Sequence, residues 1–498
     1  MKPLDPAGEP TSGPTHQLSA ERLRRIGHYL RTARAREGGD VIQPAERTPL
    51  MPQSFAQQRV WFVEQAFKGT AMYNMPECAR LRGDLDLDCL RLAIEEIVRR
   101  HEIWRTTFGL ANGMPVQRIV DWLAPEFTFE TSVGPDPEAG IRVRLADLAD
   151  RPFDLTNGPL VRVHVLKAAE RDHFLMLDVH HMVSDGWSTG VFLAEFAELY
   201  AAARTKRAAR LAQLPIQYAD FAVWQRGYWN EDRIEHLLGI WERALGSSLS
   251  SQLPIDRPRP AQPDDTGNFR LFEIPADVTA RLKALASTSR TTLFAVLASA
   301  FSAVLNRLTG QDDIRLGVPI AGRSRVEFEP MLGLFANTAV LRAEVDRNAP
   351  FVDLLSQVTR ASLSAYAHQD LPFERLVQRL QPERDVTHNP LFQIMFILQN
   401  MRMPVVHLPD LTMELIAAGT RSVKFDIVFE LYEISDGLRG WLGYQTALFD
   451  DSTVSRLLAR YGEFLADLVA SPDRPIAQIG TGVDPALAAL RDGFADEL

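Results

Sequence analysis

The 498-residue chain is poor in cysteine, with Cys78 and Cys89 as its only two. Neither belongs to a C-x-x-C pair and no histidine cluster accompanies them, so they are predicted to be reduced packing thiols, not metal ligands. Long apolar runs are missing too. No stretch of about 18 apolar residues occurs, and the polar, proline-rich start lacks the apolar core of a secretory signal. We therefore expect no membrane association and a cytoplasmic protein.

An excess of basic residues is also absent. The formal net charge is −10, which gives no global reason to expect a nucleic acid partner. Apolar residues make up 46% and charged residues 24% of the chain, as is ordinary for a globular protein.

The length exceeds what a single compact core usually holds, so two lobes are predicted. Strand-like and helix-like segments alternate in both halves, which favours a mixed α/β (α+β) class. The predicted division is a tail with a linker or docking helix (1–48), an N-terminal lobe (49–250), a proline-rich connector (251–268), a C-terminal lobe (269–482) and a tail (483–498).

Hydrophobic periodicity predicts the main elements of each half. In the first half these are a helix over 86–100, strands over 160–167 and 173–181, and a helix over 191–203. In the second half they are a strand over 268–274, a helix over 292–308, a strand over 313–320, a helix over 351–366 and a strand over 390–399.

The stretch VHHMVSDGWSTG, residues 179–190, contains two patterns that each suggest a catalytic site. The first is H-H-x-x-x-D-G, formed by His180, His181, Asp185 and Gly186. The second is G-x-S-x-G, the pattern of a serine nucleophile elbow, centred on Ser188.

Strand alternation favours the histidine pattern. Leu175, Leu177, Val179 and His181 share one face of the predicted strand, so His181 ends an apolar row where the chain leaves the sheet. A neutral imidazole there can face a cleft and act as a general base near pH 7. Asp185 is predicted to hold the following turn through an ion pair, and Gly186 allows close approach of a substrate to the backbone.

The serine pattern is weaker, because an elbow needs the serine at a sharp turn directly after a buried strand. Here several residues separate the strand from Ser188, which is instead predicted to cap a helix that begins near Thr189. A Ser–Asp–His triad stays open at this point, because His368, His388 and His407 follow along the chain.

Seven segments, in order, resemble the motifs of the condensation domains of nonribosomal peptide synthetases, a family related to chloramphenicol acetyltransferase. They are SFAQQRVWF (54–62), RHEIWRTTF (100–108), HHMVSDGWS (180–188), YADFAVW (218–224), LGLFANT (332–338), HQDLPFERLV (368–377) and RDVTHNPLFQIMF (384–396). The connector LPIDRPRP is typical of the family as well. The resemblance implies two chloramphenicol acetyltransferase-like lobes in a V-shaped pseudo-dimer, with a tunnel between them.

The resemblance also implies roles for individual residues. His181 would orient the acceptor and take its proton without forming an acyl-enzyme, and Gly186 would offer its backbone N–H to the oxyanion or leave room for the substrate. Asp185 would fix the loop through an arginine, with Arg105 as the candidate and Arg323 as the alternate. In supporting roles, His180 is expected to be structural, Asn337 to anchor a loop, and Trp187 to line the tunnel or to pack.

The implied reaction joins an acyl or peptidyl thioester donor to an acceptor amine or alcohol in natural-product biosynthesis. The donor would be carried on the 4'-phosphopantetheine of a carrier protein acting in trans. The acceptor would be carrier-bound or a soluble small molecule. The chain itself is expected to bind no cofactor and no metal, and to be a free-standing condensation enzyme. Two alternatives remain: a thioesterase or hydrolase that uses Ser188, and a non-catalytic carrier-binding domain.

Overall fold

The structure is a computed structural model. It describes residues 42–480 except 68, 133–134, 247–252, 261–263, 381–388, 390, 400–405 and 417–420. The predicted N-terminal helix, the C-terminal tail, His388 and parts of the connector lie outside these residues.

The first half of the chain alternates helices and strands, with a short 3-10 turn (His181–Val183) directly after β7. In chain order the elements are β1 (Met51–Pro52), α1 (Phe55–Ala66), β2 (Asn74–Gly83), α2 (Leu87–Arg100), β3 (Thr106–Ala111), β4 (Met114–Ile119), β5 (Glu126–Thr131), α3 (Pro137–Ala149), β6 (Val161–Ala169), β7 (Asp172–His180), α4 (Gly186–Arg204), α5 (Tyr218–Tyr228) and α6 (Glu231–Leu245).

The second half repeats this mixture. Its elements are β8 (Gly267–Pro275), α7 (Ala276–Thr288), α8 (Leu293–Thr309), β9 (Asp313–Ile320), β10 (Asn337–Glu344), α9 (Phe351–Ala367), α10 (Phe373–Leu380), β11 (Ile394–Gln399), β12 (Leu411–Ile416), β13 (Ile427–Ile434), β14 (Gly437–Gln445) and α11 (Asp451–Leu468). The mixed α/β class is therefore confirmed, and the predicted elements are present, with ends that differ by a few residues.

Two larger sheets organise the halves. The first has the strand order β12-β2-β7-β6-β5 and the second has the order β10-β9-β11-β13-β14-β8. A small sheet, β1-β4-β3, flanks the first. The alternation in β7 separates two packed layers: Leu175, Leu177 and Val179 join the core beneath α2 and α4, whereas Phe174 and Met176 pack with α3.

The chain crosses the predicted lobe boundary in both directions. Strand β12 belongs to the C-terminal half by sequence, yet it pairs antiparallel with β2 at the edge of the first sheet. Conversely, Ile234, Leu238 and Trp241 of α6 join a core made with residues of the C-terminal half. This exchange brings segments distant in sequence to the end of β7.

The sequence predicts reduced packing thiols and no membrane-spanning segment. Cys78 is buried and Cys89 half-buried, and both are free thiols. In the described part of the chain, no individual helix has the length and apolarity to span a membrane. The pair α7 and α8 meets those criteria only when combined, across a bend of 107°.

Candidate active site around His181

The His181 side chain is held at the end of β7 by two backbone contacts. The backbone N–H of His181 donates to the Tyr73 carbonyl at 2.8 Å, and the side-chain Nδ1 lies 2.7 Å from the carbonyl oxygen of Ser184. A carbonyl only accepts, so Nδ1 carries the hydrogen and Nε2 carries the lone pair of the neutral ring. Within the described residues, Nε2 has no recorded hydrogen-bond partner, which leaves it available to a substrate proton.

The surroundings keep this imidazole uncharged. Burial lowers the pKa of His181 well below its ordinary value, the positive charge of Lys424 lowers it further, and the bond to Ser184 opposes both. A ring that is neutral at pH 7 can accept a proton, as a general base must.

His180 faces the other side of β7 and makes structural contacts. It is 2% exposed, its Nδ1 accepts from the Met182 N–H at 3.2 Å, and its Nε2 lies 3.3 Å from Glu64 Oε1. Both ring nitrogens are therefore occupied, which supports the structural role predicted for His180.

Asp185 is the cap of α4 and the centre of a buried network. Its carboxylate accepts from the Ser188 N–H at 2.9 Å, from the Phe335 N–H at 2.9 Å and from Arg323 Nη2 at 3.0 Å. The bond to Ser188 closes the first turn of the helix, and the other two tie the loop to the C-terminal half.

The prediction that Arg105 pairs with Asp185 is wrong, and the alternate Arg323 is the partner. Arg105 lies in a 3-10 turn, donates to the Val120 carbonyl at 2.6 Å and approaches Glu102 only to 3.9 Å. Arg323 is 6% exposed and also donates to the carbonyls of Phe328 and Met331. The Arg323 guanidinium thus donates to the Asp185 carboxylate and to two backbone carbonyls at once.

The prediction that Ser188 caps the helix is also wrong, because α4 begins at Gly186 and Asp185 is the cap. Ser188 is 1% exposed, and its hydroxyl lies 2.8 Å from Asp185 Oδ1 and 3.0 Å from Arg323 Nη2. The Gly333 N–H also donates to this hydroxyl, at 3.1 Å. None of its recorded partners in the described residues is a histidine, so this geometry provides no base for a serine nucleophile.

Gly186 is exposed and forms the first turn of α4. The first N–H groups of a helix lack intrahelical partners and point toward negative charge. The Gly186 N–H has no recorded partner among the described residues, so it is free to donate to a ligand acceptor.

The two other supporting residues link the site to the C-terminal half. Asn337 Nδ2 donates to the carbonyls of Gln369 at 2.8 Å and Leu371 at 2.7 Å, and its Oδ1 accepts from the Phe373 N–H at 3.2 Å. These bonds give Asn337 the predicted anchoring contacts. Trp187 donates from Nε1 to the Glu329 carbonyl at 2.9 Å.

Sequence reasoning does not find Tyr73 and Lys424. The ring centroid of Tyr73 lies 6.3 Å from that of His181, and the Lys424 ammonium lies 5.3 Å from the same phenol ring. Tyr73 precedes β2 and Lys424 precedes β13. Because no local pattern joins such distant segments, only the fold brings them to His181.

A cavity of about 590 Å³ lies near the site, between α5, α6 and segments of the C-terminal half. Trp224, Phe328, Asn337 and His368 are among its lining residues, but His181 is not. The tunnel implied by the resemblance therefore stays a prediction. Within the described ranges, no group of three or more histidine, cysteine or acidic side chains is arranged to hold a metal ion.

The fold and the site together define a chloramphenicol acetyltransferase-like protein with its histidine at the end of a central strand. The sequence model of the family described as Condensation domain matches residues 49–486. The chain belongs to the condensation-domain family.

Two curated relatives show where such chains occur. The chain is 39% identical over 443 residues to malpibaldin synthetase of Mortierella alpina, covering 88% of this chain and 8% of that protein. It is also 40% identical over 446 residues to phosphinothricin tripeptide synthetase PhsC of Streptomyces viridochromogenes, covering 86% of this chain and 40% of that protein. The chain thus spans less than half the length of these relatives.

Solved structures support the same fold. The X-domain from teicoplanin biosynthesis superposes with a TM-score of 0.81 and 27% identity, covering 88% of this chain and 99% of that chain. The first condensation domain of the CDA synthetase gives a TM-score of 0.72 at 20% identity, with coverage of 87% and 99%. The second likeness concerns the fold alone.

Proposed function

We propose that the protein joins a carrier-bound acyl or peptidyl thioester to an acceptor amine or alcohol in natural-product biosynthesis. The observation that carries the proposal is the bond from His181 Nδ1 to the Ser184 carbonyl at 2.7 Å, because it leaves the Nε2 lone pair free. Kinship with peptide synthetases favours an amine as acceptor and hence an amide product.

The proposed reaction needs one base and no covalent enzyme intermediate. The acceptor nitrogen attacks the thioester carbonyl carbon while Nε2 of His181 takes a proton from that nitrogen. The Gly186 N–H at the start of α4 donates to the resulting oxyanion. When the intermediate collapses, the carbon–sulfur bond breaks and the sulfur leaves with the proton held by His181. The products are an amide and a free carrier thiol.

The carrier proteins are part of this proposal. A thioester on 4'-phosphopantetheine reaches a buried histidine on a long arm, which suits a site placed at the end of a strand between two halves of the chain. The chain would then meet its donor carrier in trans, and the acceptor would be a second carrier-bound group or a soluble molecule.

A second function, binding without catalysis, is favoured by one observation. The X-domain of teicoplanin biosynthesis has also been solved in a complex with OxyB, and that structure matches this chain with a TM-score of 0.80 and 26% identity. A fold of this kind therefore binds a protein partner in at least one relative. The intact His181, Asp185 and Gly186 of this chain favour the catalytic proposal.

The test starts from a carrier protein loaded with an acyl thioester and a panel of amines and alcohols, with the carrier followed by intact mass. Acyl loss that requires an acceptor, persists in Ser188→Ala and fails in His181→Ala is the expected result. Simple hydrolysis abolished by Ser188→Ala would establish the serine hydrolase. If the wild type and His181→Ala both bind the carrier and neither turns over, the chain is a non-catalytic carrier-binding domain.

A further inference from the structure

Lys424 reaches the active site from the C-terminal half of the chain. Its ammonium lies 5.3 Å from the centroid of the Tyr73 ring, and the His181 imidazole is a neighbour of the same ring, at 6.3 Å between centroids. The Tyr73 carbonyl also accepts the backbone N–H of His181 at 2.8 Å. Within the described residues, no hydrogen bond or ion pair is recorded for the Lys424 ammonium, although the charge of Glu64 favours its protonated form. The contact recorded for the ammonium is the face of an aromatic ring.

A set of contacts between the halves fixes the segment that carries Lys424. The Arg421 N–H donates to Asp150 Oδ1 at 3.1 Å, and the Arg421 guanidinium lies 3.4 Å from Asp147. Ser422 Oγ donates to Asp265 at 2.8 Å, and that carboxylate also accepts from Thr70 Oγ1 at 2.5 Å. Two residues before Lys424, the chain is therefore tied to the N-terminal half.

The other charges near His181 are engaged with one another. Glu64 of α1 lies 3.3 Å from His180 Nε2, and Arg59 of α1 lies 3.3 Å from Glu374 of α10. Asp185 is paired with Arg323 on the far side of the loop. The titratable and charged groups around the site are Arg59, Glu64, Tyr73, His180, Asp185, Arg323, Glu374 and Lys424. Of these, Lys424 is the cation for which the described part of the chain records no carboxylate within hydrogen-bond or ion-pair distance.

We propose that Lys424 is a positioning residue for the proposed condensation reaction, and that its ammonium adds to burial in keeping the His181 imidazole uncharged and ready to accept a proton. A cation disfavours a second positive charge nearby, and burial reduces the screening that would weaken this effect in water. Burial also lowers the pKa of Lys424, to about 8, so the ammonium is still mainly protonated at pH 7. Lys424 thus acts on the base through space and need not touch the substrate.

The direct test is a titration of His181 that does not depend on turnover. Protein labelled with carbon-13 at the histidine ring carbons is titrated by NMR, and the His181 signal is assigned by its loss in His181→Ala. In Lys424→Met we expect the midpoint to rise by about half a pH unit or more, because the nearby cation is gone. Lys424→Arg keeps the charge and should restore the wild-type midpoint.

Two controls separate this effect from a change in fold. Lys283→Met removes another lysine of the C-terminal half, one that pairs with Glu433 at 2.6 Å, and should leave the midpoint unchanged. Thermal unfolding of each variant shows whether it is folded, and Lys424→Gln offers a second neutral variant if the methionine does not fold. An unchanged His181 midpoint in a folded, uncharged variant would overturn the inference.

The rate profile then connects the inference to the proposed function. If the wild type turns over, the acidic limb of its single-turnover rate should move to higher pH in Lys424→Met by the same interval as the NMR midpoint, and Lys424→Arg should return it to the wild-type position. If the wild type shows no turnover, the proposed function fails, while the NMR titration still decides the role of Lys424.

Discussion

Arg323 Nη2 lies 3.0 Å from Asp185 Oδ1, and both side chains are almost completely buried. The pair joins the cap of α4, two residues beyond the 3-10 turn that begins at His181, to the segment that follows β9. The same carboxylate accepts the Phe335 N–H at 2.9 Å, so the charge has several partners. The recorded bonds of Asp185 therefore tie the loop that follows His181 to the C-terminal half of the chain.

Arg323→Ala should strongly destabilise the protein. Removing the guanidinium leaves the buried Asp185 charge without its cation and leaves the carbonyls of Phe328 and Met331 without a donor. Breaking one partner of a buried ion pair typically costs about 3–5 kcal/mol. The measurement is the free energy of unfolding in urea, for the wild type and for the variant.

Arg105→Ala is the matched control, because Arg105 is the other candidate for this ion pair. Its recorded hydrogen bond goes to the Val120 carbonyl, so its loss should cost about 1 kcal/mol or less. Equal losses in the two variants would contradict the assignment of Arg323 as the partner of Asp185.

Two glycines near the site should respond in opposite directions to alanine. Gly190 lies within α4, and a Cβ added there meets no atom within 4 Å. Gly190→Ala should stabilise the protein by about 0.5–1 kcal/mol, because glycine weakens a helix interior, and turnover should be unchanged. A nucleophile elbow at Ser188 would instead need this glycine, and activity would be lost.

Gly333→Ala should be destabilising. Gly333 has a φ of +145°, and a Cβ there would clash with the Tyr218 ring. Tyr218 is 1% exposed and cannot move without disturbing the core, so a loss of about 2–4 kcal/mol is expected. Thermal unfolding should show a higher midpoint than the wild type for Gly190→Ala and a lower one for Gly333→Ala. A Gly333→Ala protein as stable as the wild type would mean that Tyr218 has room to shift.

Asn337 should be replaceable by alanine at a lower cost than by aspartate. Its amide donates to two carbonyls, those of Gln369 and Leu371. Asn337→Asp turns that donor into a second acceptor and places negative charge against both oxygens, whereas Asn337→Ala only removes the bonds. Urea unfolding should rank the wild type above Asn337→Ala and Asn337→Asp last; the reverse order of the two variants would contradict the assigned amide orientation.

The sequence predictions are accurate where the interacting residues are close along the chain, and they fail where the partners are far apart in sequence. The sequence places His181 at the end of a strand because alternation over 175–181 is a local property. The start of α4 is predicted too late, because Ser188 has the chemistry of a cap, although the preceding aspartate is an equally good one. The partner of Asp185 lies 138 residues away in sequence, and two arginines have suitable chemistry, so only the fold distinguishes Arg323 from Arg105.

A carboxylate beneath α4 gives the last prediction. Glu77 of β2 is half-buried and accepts from Thr189 Oγ1 at 3.3 Å. Burial raises its pKa to about 7, against the effect of the Thr189 bond. Burial also raises the pKa of Glu430 on β13 to about 7, with a further contribution from the charge of Glu77. The two carboxylates therefore interact between the halves of the chain.

Glu77→Gln should gain stability over the wild type as the pH rises. The folded protein holds the Glu77 proton up to about pH 7, whereas the unfolded chain releases it near pH 4.3. Between these values the folded state binds more protons, so the wild type loses stability with rising pH while the neutral amide does not. We subtract the free energy of unfolding of the wild type from that of Glu77→Gln at each pH. This difference should be about 1–3 kcal/mol more favourable to the variant at pH 8 than at pH 4.5. Urea unfolding at the two pH values measures this change. A difference between the proteins that is the same at both pH values would show that Glu77 is ionised in the folded protein throughout this range.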